Sequence, residues 1–167
     1  MDSNKDSGIS NVKRVLIALD YDLSAQKVAE KGYNIARTMK AKVILLHVVA
    51  DDIYYSNLEY SPVTGFSGFS NSDFTIMANS EGLTKASLYF LEKTKEHLND
   101  DSIRIITEKG EFHEMILNTA TELDVDLIIM GSHSRRWLDQ ILMGSVTEKV
   151  LHHTSIPLLI IPTKAER

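Results

Sequence analysis

The sequence predicts one α/β domain built on a parallel sheet with helices on both faces. Short apolar runs alternate with segments whose apolar residues recur at helical spacing, and polar or glycine residues separate them. Such runs are typical of strands buried on both faces of a parallel sheet, and the alternation implies right-handed crossovers. A length of 167 residues suits a single domain with one sizeable core.

Two apolar runs near the amino terminus predict the first two strands. Val12 to Leu19 contains a continuous apolar run and stops at Asp20, and Lys42 to Val49 contains a second run. Ser24 is a candidate N-cap for the helix between them. That helix is predicted because four apolar residues recur at helical spacing: Val28, Ile35, Ala36 and Met39.

A long segment without a sustained period follows the second strand. Asp51 to Gly82 is rich in serine, asparagine, glycine and aromatic residues, and it is too long for an ordinary connection. We therefore expect a variable excursion over residues 51–82 that is mobile or faces a partner. Helical spacing then predicts a helix from Leu83 to Leu98, and Ile103 to Thr107 predicts the third strand, which ends before Gly110.

The carboxyl-terminal part is predicted as helix, strand, helix and strand. Helical spacing predicts a helix from Phe112 to Leu123, and Leu127 to Met130 predicts a buried strand. Ser145 and Glu148 match a capping box, which predicts a helix that begins there and runs to His153. Pro157 to Ile161 predicts the last strand. We expect the domain to cover residues 12–163, with a disordered tail at 1–11 and a short tail at 164–167.

Composition favours a cytoplasmic protein that binds neither nucleic acid nor membrane. The formal net charge is −5, the pI is near 5.6, and there is no basic stripe of the kind that duplex binding requires. Cysteine is absent, which excludes disulfides and thiolate metal sites. Residues 1–11 are polar and lack the apolar run of a signal peptide, and no segment is apolar enough to span a bilayer.

The candidate binding site follows the fourth predicted strand. Gly131-Ser132-His133-Ser134 and Gly144-Ser145 join this strand to the next helix through a loop rich in backbone donors. A helix N-terminus offers free N–H groups and a positive dipole end, so it attracts phosphate. Gly131 could instead simply end a strand and Ser145 simply cap a helix, but the absence of a side chain at Gly144 favours phosphate approach. Asp20 follows the first strand and could face the same crevice, or it could be an ordinary turn former.

These landmarks resemble the universal stress protein family. Its nucleotide-binding members carry Gly-x-x-Gly, nine residues, then Gly-Ser or Gly-Thr, and this chain has Gly131-x-x-Ser134, nine residues, then Gly144-Ser145. The resemblance runs from about Val12 to Pro162. It includes further landmarks in the same order: the strand ending in Asp20, the His47-Val48 strand end, Gly110, the Asp126 to Gly131 strand and Ile156-Pro157.

The resemblance implies a fold and a ligand. The fold would be a five-stranded parallel sheet of order 3-2-1-4-5, of the adenine nucleotide alpha hydrolase-like type, holding ATP between strands 1 and 4. A Mg or Mn ion would accompany the phosphates, and Asp20 would lie near it. The last strand, Pro157 to Ile161, would pair across a two-fold axis to form a homodimer.

The resemblance also implies a role for each site residue. Adenine and ribose would be bordered by Ala18, Leu19 and Asp20. Val48 would contact adenine through its backbone. The phosphate loop would be lined by Met130, Gly131, His133 and Ser134. Phosphate and ribose oxygens would be received by Gly144, Ser145, Val146 and Thr147.

One residue departs from the family pattern. Ser134 stands where the family has glycine, and its Cβ would weaken binding if that position needs a positive φ or close approach of phosphate. Its hydroxyl can donate a hydrogen bond, however, and Arg135 and Arg136 could pair with phosphate oxygens. His47, at the end of the second strand, is expected to be a partly buried histidine whose ring is satisfied.

Three functions compete at this point. The first is a dimeric stress-response module that nucleotide binding regulates. The second is an interaction module of the same fold without nucleotide, whose partner surface is residues 51–82 or 135–137. The third is an enzyme, either a slow ATPase or a nucleotidyl-transfer relative of the same architecture. It is disfavoured because the sequence lacks a P-loop, a dinucleotide-binding fingerprint and a loop residue placed to activate water. The sequence therefore favours a binder over an enzyme.

Overall fold

The computed structural model describes residues 11–50, 80–132 and 144–163. Strands and helices alternate along the described chain, as predicted, with these bounds: β1 Arg14–Leu19, α1 Ala25–Thr38, β2 Lys42–Val49, α2 Ser80–Leu98, β3 Arg104–Lys109, α3 Phe112–Glu122, β4 Leu127–Gly131, α4 Ser145–His153 and β5 Leu158–Ile161. The strands form one parallel sheet of order β3-β2-β1-β4-β5, which confirms the expected topology.

The sheet is covered on both faces, and alternate strand residues point to opposite faces. Val15, Ile17 and Leu19 of β1 pack in one apolar cluster with α1 and α2. Leu16 of β1 packs in a second cluster with α3 and α4. The chain therefore winds to one side of β1 through β2 and β3 and to the other through β4 and β5. In sheets of this kind, ligands bind beyond the carboxyl ends of the strands where the winding reverses, which here is between β1 and β4.

Glycine lets α1 approach the two strands at this reversal. Gly32 is buried, and a Cβ at this position would lie 3.0 Å from Ile17 Cδ1 and 3.3 Å from Ile129 Cγ2. Both distances are shorter than ordinary van der Waals contact, so a larger residue would push α1 away from β1 and β4.

Several predicted boundaries shift by one to three residues. The helix expected from Leu83 begins at Ser80, because Ser80 and Glu81 suit a helix start and Glu81 pairs with Lys85 one turn later at 2.9 Å. β1 begins at Arg14 instead of Val12, β3 is displaced by one residue at its start and two at its end, and β4 extends to Gly131. The expected tails and excursion, except residues 11 and 80–82, lie outside the described residues.

Neither predicted cap forms the side-chain hydrogen bond that was expected of it. Ser24 occupies the N-cap position of α1 but has helical angles (φ −78°, ψ −7°) and makes no side-chain cap. Its hydroxyl donates to Asp22 Oδ1 at 2.6 Å instead. The capping box fails because Gly144, not Ser145, is the N-cap of α4, so Glu148 lies one residue too far along the helix to reach back to the N-cap amide.

The helices do not resemble membrane spans. None of the four helices within residues 11–50, 80–132 and 144–163 combines the length and the apolar character that a bilayer-crossing helix has.

Candidate functional site

A crevice opens between β1 and β4 at the carboxyl edge of the sheet. The pairing of the two strands ends at Ile17 and Ile129, although each strand continues for two more residues. β1 remains paired with β2 as far as Leu19 and His47. The carboxyl ends of β1 and β4 are therefore the one place among the described strands where neighbouring strands extend past their shared ladder on both sides.

Three residues predicted to bind nucleotide share one face of the sheet at this edge. Ala18, Val48 and Met130 all belong to the apolar cluster under α3 and α4. Val48 is the first β2 residue beyond the end of the β1 pairing, and β3 still holds it through its register with Glu108. The β1 side of its backbone thus borders the crevice, as a base-binding residue requires.

The start of α4 faces the same edge. Its N-cap, Gly144, is buried and extended, with φ −69° and ψ 153°, and no side chain of the described residues caps the helix. The first amides of an α-helix have no acceptor within the helix, and the helix dipole makes this end positive. Because any residue adopts these backbone angles, the benefit of glycine here is the absence of a side chain.

Two hydrogen bonds fix α4 against the end of β4. Thr147 is buried, and its hydroxyl donates to the Gly131 carbonyl at 3.0 Å. The Gly144 amide donates to the Ser132 carbonyl at 3.2 Å. Ser132 is itself held by β5, since its amide donates to the Ile161 carbonyl at 2.9 Å. Residues 132 and 144 therefore lie next to each other in space. The role of Ser132 and Thr147 in joining α4 to β4 was not predicted from the sequence.

Asp20 lies in a turn that leads from β1 to α1. Its Oδ1 accepts the amide of Asp22 at 3.1 Å, and Asp22 in turn accepts the amide of Ser24 at 2.8 Å. These successive turns place the Asp20 carboxylate next to the carboxyl end of β1. The turn-former interpretation and the ligand interpretation are thus compatible for this residue.

A buried polar network supports the β2 side of the crevice. His47 Nδ1 is 2.7 Å from Ser87 Oγ of α2, and Ser87 Oγ is 2.8 Å from Thr107 Oγ1 of β3. Tyr21, immediately after Asp20, packs its ring 4.2 Å from the His47 ring centre and 5.2 Å from that of Phe90. The contact with Ser87 gives the His47 ring a hydrogen-bond partner, as predicted. His47 is only 3% exposed, so it is more deeply buried than expected.

A charged cluster aligns α3 with α4 behind the crevice. The Glu111 carboxylate accepts the His113 amide at 2.9 Å and pairs with Lys149 of α4 at 3.2 Å. Burial raises the pKa of Glu111, but hydrogen bonds from the Glu114 amide and Lys149, with the nearby positive charges, outweigh burial and lower this pKa below its ordinary value. Glu111 is therefore a charged N-cap that also holds the neighbouring helix.

Some predicted site residues cannot be located. His133 and Ser134, together with Arg135, Arg136 and Trp137, lie outside the described residues. Within the described ranges, no three histidine, aspartate or glutamate side chains are grouped so as to hold a metal ion. Among the predicted residues that the structure does describe, Asp20 is the one carboxylate at the crevice.

Comparison with known proteins points to the family that the sequence motifs resemble, along almost the whole chain. The family model described as the Universal stress protein family matches residues 11–162. Universal stress protein MJ0577 of Methanocaldococcus jannaschii is 33% identical over 157 residues, covering 91% of this chain and 96% of that protein.

Solved structures share the architecture. The structure of the hypothetical protein MJ0577 matches with a TM-score of 0.67 at 28% identity, covering 93% of this chain and 99% of the other. A universal stress protein in complex with cAMP has a TM-score of 0.60 at 17% identity, covering 93% and 100%. A universal stress protein family member from Arabidopsis thaliana with AMP bound has a TM-score of 0.59 at 19% identity, covering 92% and 93%.

These likenesses carry different weight. The two nucleotide complexes are 17% and 19% identical to this chain, so they support the fold alone. The fold shared with the 28% identical MJ0577 structure is the adenine nucleotide alpha hydrolase-like fold. The family model and the 33% identical relative extend over nine-tenths of the chain. The chain therefore belongs to the universal stress protein family.

Proposed function

We propose that this stress protein binds an adenine nucleotide, ATP with Mg or Mn, in the crevice between β1 and β4. The start of α4 is the observation that supports this most. Gly144 is a buried N-cap without a side chain. It lies beside the end of β4, beyond the point where β4 stops pairing with β1. An uncapped helix start beside an open strand end is suited to bind phosphate.

The remaining residues fit the other parts of a nucleotide. The face shared by Ala18, Val48 and Met130 is apolar and suits a base, and the Val48 backbone borders it. The amides of Ser145 and Val146 suit phosphate oxygens, and Gly144, whose own amide donates to the Ser132 carbonyl, leaves the approach to them free of a side chain. Ser145 is exposed at the first helical position. Asp20 would lie near the divalent ion. His133, Ser134 and Thr147 complete the proposed set, with Thr147 acting through its bond to the Gly131 carbonyl.

Two proteins of the same fold are described with adenine nucleotides, cAMP in one and AMP in the other. Their likeness to this chain is one of fold, so they support the proposal only in that proteins of this fold are described with adenine nucleotides. ATP is proposed for this chain because the sequence between β4 and α4 contains two arginines, Arg135 and Arg136, whose side chains pair well with phosphate oxygens.

We further propose that the protein acts as a nucleotide-dependent homodimer through β5. β5 is an edge strand, and its four residues are all apolar. Leu158, Leu159 and Ile161 pack against the two core clusters, whereas the half-buried Ile160 belongs to neither. An apolar edge strand with one such residue favours pairing with a second copy.

The nucleotide is tested by denaturing the purified protein and analysing the released small molecules by mass spectrometry. We expect an adenine nucleotide, and we expect its yield to fall in Gly144→Val protein prepared in the same way. Added Mg-ATP should also raise the melting temperature of nucleotide-free protein, because ligand that binds only the folded state stabilises it.

The alternatives give different results in the same experiment. No released nucleotide and no thermal shift with Mg-ATP would favour the interaction module without nucleotide. Phosphate release well above that of Gly144→Val would instead show slow ATP hydrolysis, which the proposal does not expect.

A further inference from the structure

A second groove lies at the amino edge of the sheet, at the opposite end of the strands from the crevice. It has a volume of about 420 Å³, within the roughly 300 to 1,000 Å³ typical of small-molecule sites. Its lining comes from the starts of β1, β2 and β3 and from the carboxyl-terminal end of α3. We call it the amino-edge groove.

Three adjacent strands at this groove each begin with a positively charged residue. Arg14 is in register with Lys42, and Arg104 is in register with Ile44, two residues beyond Lys42. Because alternate strand residues point to opposite faces, Arg14, Lys42 and Arg104 all project on the α3 side of the sheet. Neighbouring strands lie about 4.8 Å apart, so the three cations come from strands that span roughly 10 Å.

The cations differ in how they are held. Arg14 Nη1 donates to the Leu123 carbonyl at 3.3 Å and lies 3.6 Å from the Asp124 carboxylate. These contacts fix one part of its guanidinium and leave further N–H donors for a ligand. Lys42 and Arg104 are exposed, and neither has an ion-pair partner within the described ranges 11–50, 80–132 and 144–163.

The rest of the lining suits an organic molecule with separated negative charges. The buried Ile44 supplies apolar surface, whereas the Ser102 hydroxyl donates to Asp100 Oδ1 at 2.6 Å and is not counted as a donor for the ligand. Three cations face two carboxylates, Glu122 and Asp124, so the groove carries an excess of positive charge on a chain whose net charge is −5. A single small anion cannot match cations from three strands as well as two or more linked anionic groups can.

We propose that the amino-edge groove binds a small organic polyanion carrying at least two carboxylate or phosphate groups. Lys42 and Arg104 supply the attraction, and Arg14 supplies oriented donors held by the end of α3. Guanidinium groups bind carboxylate and phosphate in the same two-pronged geometry, so both chemistries are candidates. The groove uses no residue of the crevice, and this site stands or fails separately from nucleotide binding.

Two probes distinguish the chemistries. Calorimetric titrations with citrate and with fructose 1,6-bisphosphate, at low ionic strength, test a carboxylate and a phosphate ligand in turn. Binding of either probe is expected, and it should weaken as salt is added because the cations are exposed. Binding of neither probe at concentrations up to about 10 mM would overturn the proposal.

Charge-reversal variants locate the binding. Lys42→Glu and Arg104→Glu should each lower the affinity for the probe at least about tenfold. Arg104→Gln should lower it less. Lys31→Glu makes the same charge change at an exposed position of α1 and should bind as the wild type does. Equal binding by Lys31→Glu and Arg104→Glu proteins would overturn the proposal.

Amide chemical shifts in the wild-type protein complete the test without relying on a variant's fold. Addition of the probe should change the amide chemical shifts of residues 42–44 and 102–104. Shifts confined to Gly144–Thr147 would place the anion at the start of α4 and overturn the proposal. Binding retained in Gly144→Val protein separates this site from the crevice.

Discussion

At the scale of single residues, Gly144 shows why a glycine can be needed without any unusual backbone angle. Its φ of −69° and ψ of 153° are open to every residue, and it is buried at a helix start. The backbone at this N-cap does not require glycine. The proposed reason for Gly144 is therefore the approach of a ligand to the helix start and not the turn itself.

Asp126 illustrates a residue whose contribution depends on pH. Its Oδ2 accepts the Lys13 amide at 2.8 Å and the Arg14 amide at 2.9 Å, so it joins the start of β4 to the start of β1. These two backbone hydrogen bonds lower the pKa of Asp126 below its ordinary value of 3.8. The unfolded state therefore binds the proton more readily, and the stabilisation is present above the ordinary pKa and lost as the pH falls below it.

We predict that Asp126→Asn lowers the free energy of unfolding at pH 7 by about 1 kcal/mol, a value discounted for partial exposure to solvent. The difference from the wild type should shrink as the pH falls from about 5 through the lowered pKa. Urea denaturation at a series of pH values measures it. A difference that stays constant from pH 7 to pH 3 would contradict the assigned role.

At the scale of elements, the junction of β4 and α4 positions the proposed phosphate site. The Thr147 hydroxyl bonds the Gly131 carbonyl, and the Gly144 amide bonds the Ser132 carbonyl. The helix start is therefore held against the strand end by two separate hydrogen bonds. The geometry of the site depends on this junction and not only on the residues that would touch a ligand.

We predict that Thr147→Val, which keeps the shape but removes the hydroxyl, lowers the free energy of unfolding by about 1 to 2 kcal/mol. The buried Gly131 carbonyl would lose its partner, and α4 would be less firmly placed. Nucleotide affinity should fall as well. Thr147→Ser retains the hydroxyl and should recover most of both losses in urea denaturation and titration; equal losses in the two variants would contradict the role of the hydroxyl.

The elements were predictable where one local pattern decided them. β1, β2 and β4 are buried on both faces, so their apolar runs are continuous and their existence was correctly predicted. The caps were not predictable, because Gly144 and Ser145 are both acceptable N-caps and the choice depends on the Ser132 contact. The early start of α2 was missed because Gly82 suggests a break, although it lies in the first turn.

The candidate site was predictable in part for a similar reason. Its strand ends follow from the position of polar residues after apolar runs, and parallel strands bring these ends to one edge. The network of His47, Ser87 and Thr107 could not be inferred, because its members lie 40 and 20 residues apart and only the packing of α2 on the sheet joins them. Tyr21 had one available signal, its place directly after Asp20.

At the scale of the whole molecule, the two edges of the sheet differ in character. β3, at one edge, carries the charged residues Arg104, Glu108 and Lys109, which discourage pairing with another strand. β5, at the other edge, carries only apolar residues. This asymmetry favours assembly through β5 and not through β3.

We predict that the wild-type protein is a dimer and that Ile160→Glu shifts it to monomer, because a buried unpaired charge at the edge would oppose association. Sedimentation equilibrium measures the mass in solution. Lys109→Glu changes a charge on the opposite edge and should leave the dimer intact. A monomeric wild type, or dimers of equal stability in both variants, would exclude β5 as the interface.

In the proposed nucleotide site, the start of α4 and the open end of β4 hold the phosphates. The most direct test of this proposal is a calorimetric titration of nucleotide-free protein with Mg-ATP. Gly144→Val should weaken binding at least about tenfold, or 1.4 kcal/mol, whereas Ser155→Val, which adds the same side chain at an exposed position beyond the other end of α4, should bind as the wild type does. No heat with the wild type, or equal affinity in a folded Gly144→Val protein, would contradict the account.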